Sequence, residues 1–368
     1  MNRKETILSS QLAFLLIAFS TGSSIIYIPN PLAAAAKNGA WISLLLSYGF
    51  GMAVLACILY LSRKYPGQSI VEYSRQLAGN AVSAVVAVLL LALLLFAAPA
   101  VVNGIGDFFT SIMMGETPSY IFNSLSLLVA ALTVNAGINV IARMFTLLVY
   151  GMLLFSLTVL ALALFIYKPE FLLPVLPHGI KPVLHGTFIA SGFPFGEVFF
   201  FAMLLPFVRR DDDAATSKHL YTAFTVTGAM LLLSTVCTLM TFGPAAEYLK
   251  YSLFMLARNI RFADIIERIE SVIGITLIVG SYMKATIFLF MLNQVATQLF
   301  RLRDDRTLVF PLALICVFLS ITMFRNPAEF NEQVYTIWPF LVIFLGCGMV
   351  FLMTIVTALR KGERGASN

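Results

Sequence analysis

Long apolar runs alternate with short polar connections along the whole 368-residue chain. A membrane-spanning helix needs about 20 apolar residues, and ten runs approach that length. The pattern therefore predicts an all-α integral membrane protein with about ten transmembrane helices. We expect spans near Leu8–Ala36, Ala40–Ser62, Ala81–Phe109, Tyr120–Val134, Met144–Tyr167, His185–Val208, Leu220–Phe242, Val272–Asn293, Leu308–Phe324 and Val334–Leu359.

Two of these spans, the first and the sixth, are interrupted by small residues and proline. The first contains Ser-Thr-Gly-Ser-Ser at 20–24, and the sixth contains Ser-Gly-Phe-Pro-Phe-Gly-Glu at 191–197. A broken helix is costly in lipid unless its freed backbone groups line a cavity. Interrupted spans at corresponding places in two halves indicate a transporter-like binding site. We therefore predict a five-plus-five inverted repeat, about 8–167 and 185–359, within one polytopic domain covering 1–368.

Composition excludes a soluble globular protein. Hydrophobic residues make up 60% of the chain and charged residues 11%, against about 25% charged in average proteins. No nucleophile–base pair or His/Asp cluster stands at a predicted membrane face, so we expect no enzyme, no cofactor and no metal site. The four cysteines fall inside predicted spans and are expected to be free thiols.

Orientation follows from the distribution of lysine and arginine. With the N-terminus inside, fifteen of the 24 basic residues fall on the inner side and eight on the outer side. Cytoplasmic loops carry an excess of such residues, so both termini are predicted to be cytoplasmic. The net charge of +6 reflects this bias and does not indicate nucleic-acid binding.

The break in the first span has the chemistry of a zwitterion site. A second half-helix starting near Gly22 would present free N–H groups and partial positive charge, which suit a carboxylate. Ser23 and Ser24 add hydroxyl donors, and carbonyl groups near Ser20 and Thr21 suit an ammonium group. The alternative is a packing kink, in which Gly22 and the serines allow a neighbouring helix to approach closely.

The break in the sixth span predicts an apolar wall and a buried acid. Proline removes a backbone donor and glycine relaxes the chain, so carbonyl groups should be exposed there. An acid within a span is costly and usually functional. Glu197 either stabilises the first turn of the restarted helix or binds a substrate ammonium or a proton. The predicted ligand-binding residues of this span are Ser191, Gly192, Phe193, Phe195, Gly196 and Glu197.

Lys284 lies about as deep in the eighth span as Glu197 does in the sixth, at about 1.5 Å per residue. Its side chain cannot easily reach either membrane surface. We therefore predict an interior role, as a counter-ion for Glu197 or as a fixed cation replacing a coupling sodium ion. Tyr282, Asn103 and Asp107 are weaker candidates for the site and its vestibule.

The predicted outer connection Gly243–Glu270 alternates apolar and charged positions. This pattern is typical of an amphipathic helix lying over the bundle. Such a helix is either a solvated loop element or a lid over the site.

Several stretches of the chain resemble the spore-germination permease family, the B subunits of nutrient germinant receptors, within the amino acid–polyamine–organocation transporter superfamily. They are Gly22 with Ile28-Pro29, then 38–43 (NGAWIS), 64–79 (KYPGQSIVEYSRQLAG), 193–197 (FPFGE) and Leu205-Pro206. The resemblance implies a leucine-transporter-like fold with broken helices one and six and a location in the spore inner membrane. It also implies a complex with A and C subunits, and a small nutrient, often an amino acid, that triggers germination.

Two functions share this site chemistry. A receptor subunit needs only different ligand affinities in two conformations. A proton-coupled amino acid transporter must also release its solute on the inner side. The sequence leaves both open.

Overall fold

The computed structural model describes residues 5–176, 179–209, 213–260, 269–302, 304 and 306–365. Within these ranges the chain is helical almost throughout, and the one β-type contact is an isolated bridge between Ile7 and Val208. His178, Asp211 and Asp212 lie outside the described ranges. So does the stretch 261–268 of the predicted amphipathic outer helix.

The described residues contain eight helices long and apolar enough to cross a membrane, and two shorter apolar helices at the predicted fourth and ninth positions. The prediction of about ten spans is confirmed, whereas the repeat boundaries near 8–167 and 185–359 stay predictions. We number the helices spans 1 to 10: Ser9–Tyr27, Pro29–Lys64, Ile70–Met113, Ser119–Asn135, Ile138–Ile166, Lys181–Met203, Asp213–Tyr248, Glu270–Phe300, Val309–Thr322 and Pro327–Arg360.

Span 3 begins at Ile70, well before the predicted start near Ala81. Ser69 caps the helix: its Oγ accepts from the Glu72 N–H at 3.3 Å, and the Glu72 carboxylate accepts from the Ser69 N–H at 2.7 Å. Gly79 then bends the helix at a φ of 85°, a conformation that glycine adopts without steric cost. The polar turns before Gly79 carry no hydropathy signal, so only the apolar part after the bend is predicted.

The connections divide into two faces. On one face, which we call the terminal face, the backbone of Ile7 pairs with Phe207 and Arg209, and Tyr65 contacts Thr357. On the opposite face, Lys37 forms an ion pair with Glu247. Both ends of the described chain therefore lie on the same side of the bundle.

Spans 1, 6 and 8 form the centre of the bundle. The most apolar windows of these spans are 72%, 89% and 78% buried, whereas those of spans 5 and 10 are 33% buried. The two interrupted helices are thus enclosed by the other spans, where a cavity between them can be shielded from lipid.

Spans 1 and 8 cross with their backbones in close contact at Gly22 and Gly280. A Cβ atom added to Gly22 would lie 2.5 Å from the Gly280 carbonyl oxygen, and the reverse contact would be equally short. Small residues at helix crossings allow this approach. The geometry at Gly22 therefore matches the packing alternative for this residue, whatever the break itself binds.

We expect Gly280→Ala to lower the free energy of unfolding by about 1–3 kcal/mol, because the new methyl group forces two central helices apart. Thermal unfolding of the detergent-solubilised protein measures this loss. Gly151→Ala is the matched control, since a Cβ there meets nothing within 4 Å. Equal stability of the two variants would contradict a tight crossing at Gly280.

Candidate functional site

Span 6 leaves helical geometry at Phe193, where φ is −129° and ψ is 120°. Two glycines make the break compatible with close packing. A Cβ on Gly192 would clash with Pro339 of span 10, and one on Gly196 would clash with the Ser191 carbonyl oxygen. Pro339 therefore packs closely against the break at Gly192, and the Ser191 carbonyl group packs closely against it at Gly196.

The break in span 1 is shallower. The helix ends at Thr21 and restarts over Ser24–Tyr27, while Gly22 and Ser23 keep nearly helical dihedral angles. Span 7 holds both sides of it. Thr21 Oγ1 donates to Thr227 Oγ1 at 3.2 Å, and a serine hydroxyl of span 7 donates to the Ile25 carbonyl at 2.9 Å.

A cavity of about 50 Å³ lies where spans 1, 3, 6, 8 and 10 meet. Its wall is mainly apolar, and its polar groups come from both broken helices and from two tyrosines. The aromatic lining residues are Tyr27, Phe96, Phe193, Phe288, Phe330, Tyr335 and Trp338. The remaining lining residues are Ser23, Ala97, Ala100, Val101, Gly104, Glu197 and Val334.

The structure places three of the predicted ligand residues, Ser23, Phe193 and Glu197, on this cavity wall. Phe195 packs instead against Tyr48 and Phe224, with ring centroids 6.1 and 5.7 Å apart. The other predicted residues of the two breaks surround the cavity without being part of its lining. They are Thr21, Gly22, Ser24, Ser191, Gly192 and Gly196, and all are buried.

In span 3 the sequence pointed to Asn103 and Asp107, neither of which belongs to the cavity lining, and in span 10 it pointed to no residue. Ala97, Ala100 and Gly104 put small side chains on the cavity-facing side of span 3, at a spacing typical of one helix face. Trp338 is one of only two tryptophans in the chain and precedes a proline inside a span. That unusual pair of residues was the signal available for span 10.

Glu197 and Lys284 meet in the interior. Lys284 Nζ lies 2.5 Å from Glu197 Oε2, and the exposed fractions of the two side chains are 0% and 3%. The indole N–H of Trp338 donates to Glu197 Oε1 at 2.9 Å. The carboxylate is thus compensated in charge and hydrogen-bonded on both oxygens, which is the condition for a stable buried acid.

The Lys284 ammonium also lies over three aromatic rings. Its Nζ is 4.2 Å from the centroid of Phe193, 5.0 Å from that of Phe19 and 5.7 Å from that of Phe288. Ring faces attract cations, and more strongly when water is excluded. Lys284 therefore connects spans 1 and 6 to span 8 at the level of the breaks.

A polar cluster lies beside Tyr27 of the cavity wall, toward the opposite face. Asp107 accepts from Lys250 Nζ at 2.6 Å and from the Tyr251 hydroxyl. Burial, together with the Asp107 carboxylate, raises the pKa of Tyr251 well above its usual value, so the phenol stays a proton donor. Tyr251 in turn packs on Tyr27, with centroids 5.5 Å apart. We call Asp107, Lys250 and Tyr251 the Asp107 cluster.

The Asp107 cluster is continuous with the short helix Ser252–Asn259, the described part of the predicted amphipathic segment. Leu253 and Leu256 of this helix are fully buried. The helix therefore packs over the bundle next to the cavity, and the alternative of a solvated loop helix does not hold for these residues.

We expect Asp107→Asn and Lys250→Met to be coupled by about 1 kcal/mol in a double-mutant cycle, because each variant removes the same partly buried ion pair. Thermal unfolding of the wild type, the two single variants and the double variant gives this coupling. Strict additivity would contradict an energetic contribution of the pair.

The ten spans, the two interrupted central helices and the cavity between them define a membrane protein of the transporter-like class. The chain belongs to a family described as "Spore germination protein" (Spore_permease), whose model matches residues 6–328. The predicted family is confirmed.

Two proteins of Bacillus subtilis (strain 168) are similar to the chain. Spore germination protein KB is 27% identical over 361 residues, covering 96% of this chain and 95% of the relative. Spore germination protein YndE is 25% identical over 238 residues, covering 61% and 64%.

Among solved structures, the crystal structure of MhsT in complex with L-phenylalanine is similar with a TM-score of 0.71. The match covers 97% of this chain and 90% of MhsT at 14% sequence identity. At this identity the similarity concerns the fold, and it confirms the predicted leucine-transporter-like architecture.

Proposed function

We propose that this chain is the membrane-embedded subunit of a nutrient germinant receptor and that it binds a small solute, an amino acid, in the cavity between the broken spans. The observation that carries the proposal is the position of the cavity. It lies where Ser23 of span 1 meets Phe193 and Glu197 of span 6. The family membership and the similarity to spore germination protein KB support the connection to germination.

The lining favours an amino acid with an apolar side chain. Aromatic rings from spans 3, 6, 8 and 10 form the wall, and Ala97, Ala100 and Gly104 leave space beside span 3. Ser23 and the restart of the helix at Ser24 suit the ligand carboxylate. The Glu197 carboxylate has lone pairs beyond those used by Lys284 and Trp338, so it can also accept a ligand ammonium.

In this proposal Lys284 is a fixed internal cation. It holds spans 1, 6 and 8 together in the position where a transported ion would otherwise be needed. Ligand binding then shifts the equilibrium between two conformations by the difference in affinity for them. The expected partners are the receptor A and C subunits in the spore inner membrane, with both termini of this chain in the cytoplasm.

A proton-coupled amino acid transporter is the alternative. The fold similarity to MhsT favours it, because that protein binds L-phenylalanine in a structure of the same architecture. The site residues are the same in both functions, and only the consequence of binding differs.

A germination assay with spores of a deletion strain tests the proposal directly. The gene is deleted and restored, and the fall in optical density of spore suspensions is followed after addition of single amino acids. We expect deletion to abolish the response to a defined nutrient and restoration to recover it. An unchanged response in the deletion strain, with reduced amino acid uptake by growing cells, would overturn the receptor function in favour of transport.

A further inference from the structure

A second cavity, of about 70 Å³, lies at the terminal face between spans 3 and 8, far along both helices from the proposed ligand site. Two arginines, Arg75 and Arg301, belong to its lining. Asn80, Ser83 and Gln298 add neutral polar side chains. Among the described residues this lining contains no acidic side chain, so its described part is cationic.

Neither arginine forms an ion pair within the described part of the chain. The acid nearest to Arg75 in sequence, Glu72, accepts from the Ser69 N–H at 2.7 Å. The described acid nearest to Arg301, Asp304, accepts from the Arg306 N–H at 3.0 Å. Ser69 Oγ also donates to Gln298 Oε1 at 2.9 Å, which fixes that amide and leaves its N–H groups available to the pocket. Within the part of the chain that the structure describes, the pocket therefore offers several donors and two positive charges that form no ion pair.

The backbone at Arg301 is unusual for its residue type. Arg301 ends span 8 in the left-handed conformation, at a φ of 54°. Glycine or asparagine adopts this conformation more readily than arginine. A guanidinium at this position indicates a use for the side chain beyond ending the helix.

Span 3 also presents an exposed apolar surface next to the residues that line the pocket. In the turns that follow Asn80, Val82, Val85 and Val88 are 41%, 66% and 55% exposed. Ala84 and Ala87 continue the pocket lining along the same helix. An acyl chain can lie along this apolar surface while a headgroup reaches the arginines.

We propose that this pocket binds the phosphate group of an anionic membrane lipid, held by Arg75 and Arg301 and oriented by Gln298. Arginine binds phosphate through two parallel hydrogen bonds. Basic pockets between transmembrane helices at a membrane surface bind anionic headgroups by this chemistry. The lipid clamps the start of span 3 to the end of span 8, and this role is independent of the ligand proposed for the central cavity.

The purified full-length chain in a neutral detergent tests the proposal by thermal unfolding with added phosphatidylglycerol, phosphatidylcholine or inorganic phosphate. The pocket variant is Arg75→Gln with Arg301→Asn, because asparagine tolerates the left-handed backbone. The matched control is Arg143→Gln with Arg360→Gln, two exposed arginines outside the pocket. Native mass spectrometry of the same samples counts retained lipids.

We expect phosphatidylglycerol, and not phosphatidylcholine, to raise the unfolding temperature of the wild type and the control. Each arginine near an anionic headgroup contributes about 1 kcal/mol, so the pocket variant should bind phosphatidylglycerol about thirtyfold more weakly. Equal loss in the control would overturn a specific pocket. Equal stabilisation by inorganic phosphate would overturn the lipid source and assign the pocket to free phosphate. If the pocket variant fails to fold, the variant Arg75→Lys with Arg301→Lys replaces it, because lysine keeps the charge but cannot form two parallel hydrogen bonds to phosphate. Unchanged lipid retention by this variant would overturn the proposed binding by the two arginines.

Discussion

The Lys284→Met variant is expected to lose about 3–5 kcal/mol of the free energy of unfolding, because it leaves the Glu197 carboxylate buried without a counter-ion. The cation also interacts with three rings of spans 1, 6 and 8. The variant should therefore also weaken the packing of these three central spans. Thermal unfolding in detergent, read with the yield of monodisperse protein, measures the effect.

The control for this prediction is Lys218→Met, which removes an exposed lysine near the terminal end of span 7. The double variant Lys284→Met with Glu197→Gln should recover most of the loss, because it removes both charges together. If Lys284→Met were as stable as Lys218→Met, the buried pair would have no structural role. That result would contradict the proposal that the pair of Lys284 and Glu197 fixes the positions of the broken helices.

Ala100→Phe should weaken nutrient binding while leaving the protein folded, since the new ring projects into a cavity of about 50 Å³. Overfilling a packed site costs about 1–3 kcal/mol, which corresponds to a roughly 5- to 150-fold increase in Kd. Equilibrium binding of labelled amino acid to the purified protein gives the change in Kd.

Ala92→Phe is the matched control, because Ala92 is on the same helix and is exposed on the lipid side. It should keep the Kd of the wild type. Equal weakening by the two variants would place the binding site outside the central cavity. Unchanged binding by Ala100→Phe would do the same.

The positions of the breaks could be predicted because their causes are local. Glycine, proline and clustered serine interrupt a helix wherever they occur, and apolar length identifies a span without knowledge of its neighbours. The side that each residue of a break faces could not be predicted from the sequence. Phe193 lines the cavity whereas Phe195 packs on Tyr48, because non-helical dihedrals at Phe193 change the direction of the following residues.

Of the contacts between distant spans, the sequence suggested only the pair of Lys284 and Glu197, as one of two alternatives for the lysine. The depth of Lys284 and Glu197 followed from the helical rise, but their 2.5 Å contact depends on how spans 6 and 8 are rotated about their axes. Trp338 approaches the same carboxylate from span 10, which no spacing rule connects to span 6. The Asp107 cluster likewise joins span 3 to a connection between spans 7 and 8.

The most direct test of the account is binding and accumulation of labelled amino acids measured in the same liposomes containing the purified chain, with a proton gradient applied. We expect saturable binding of at least one amino acid, weakened in Ala100→Phe and unchanged in Ala92→Phe, with no accumulation above the external concentration. Concentrative uptake driven by the gradient would contradict it and make this protein a transporter.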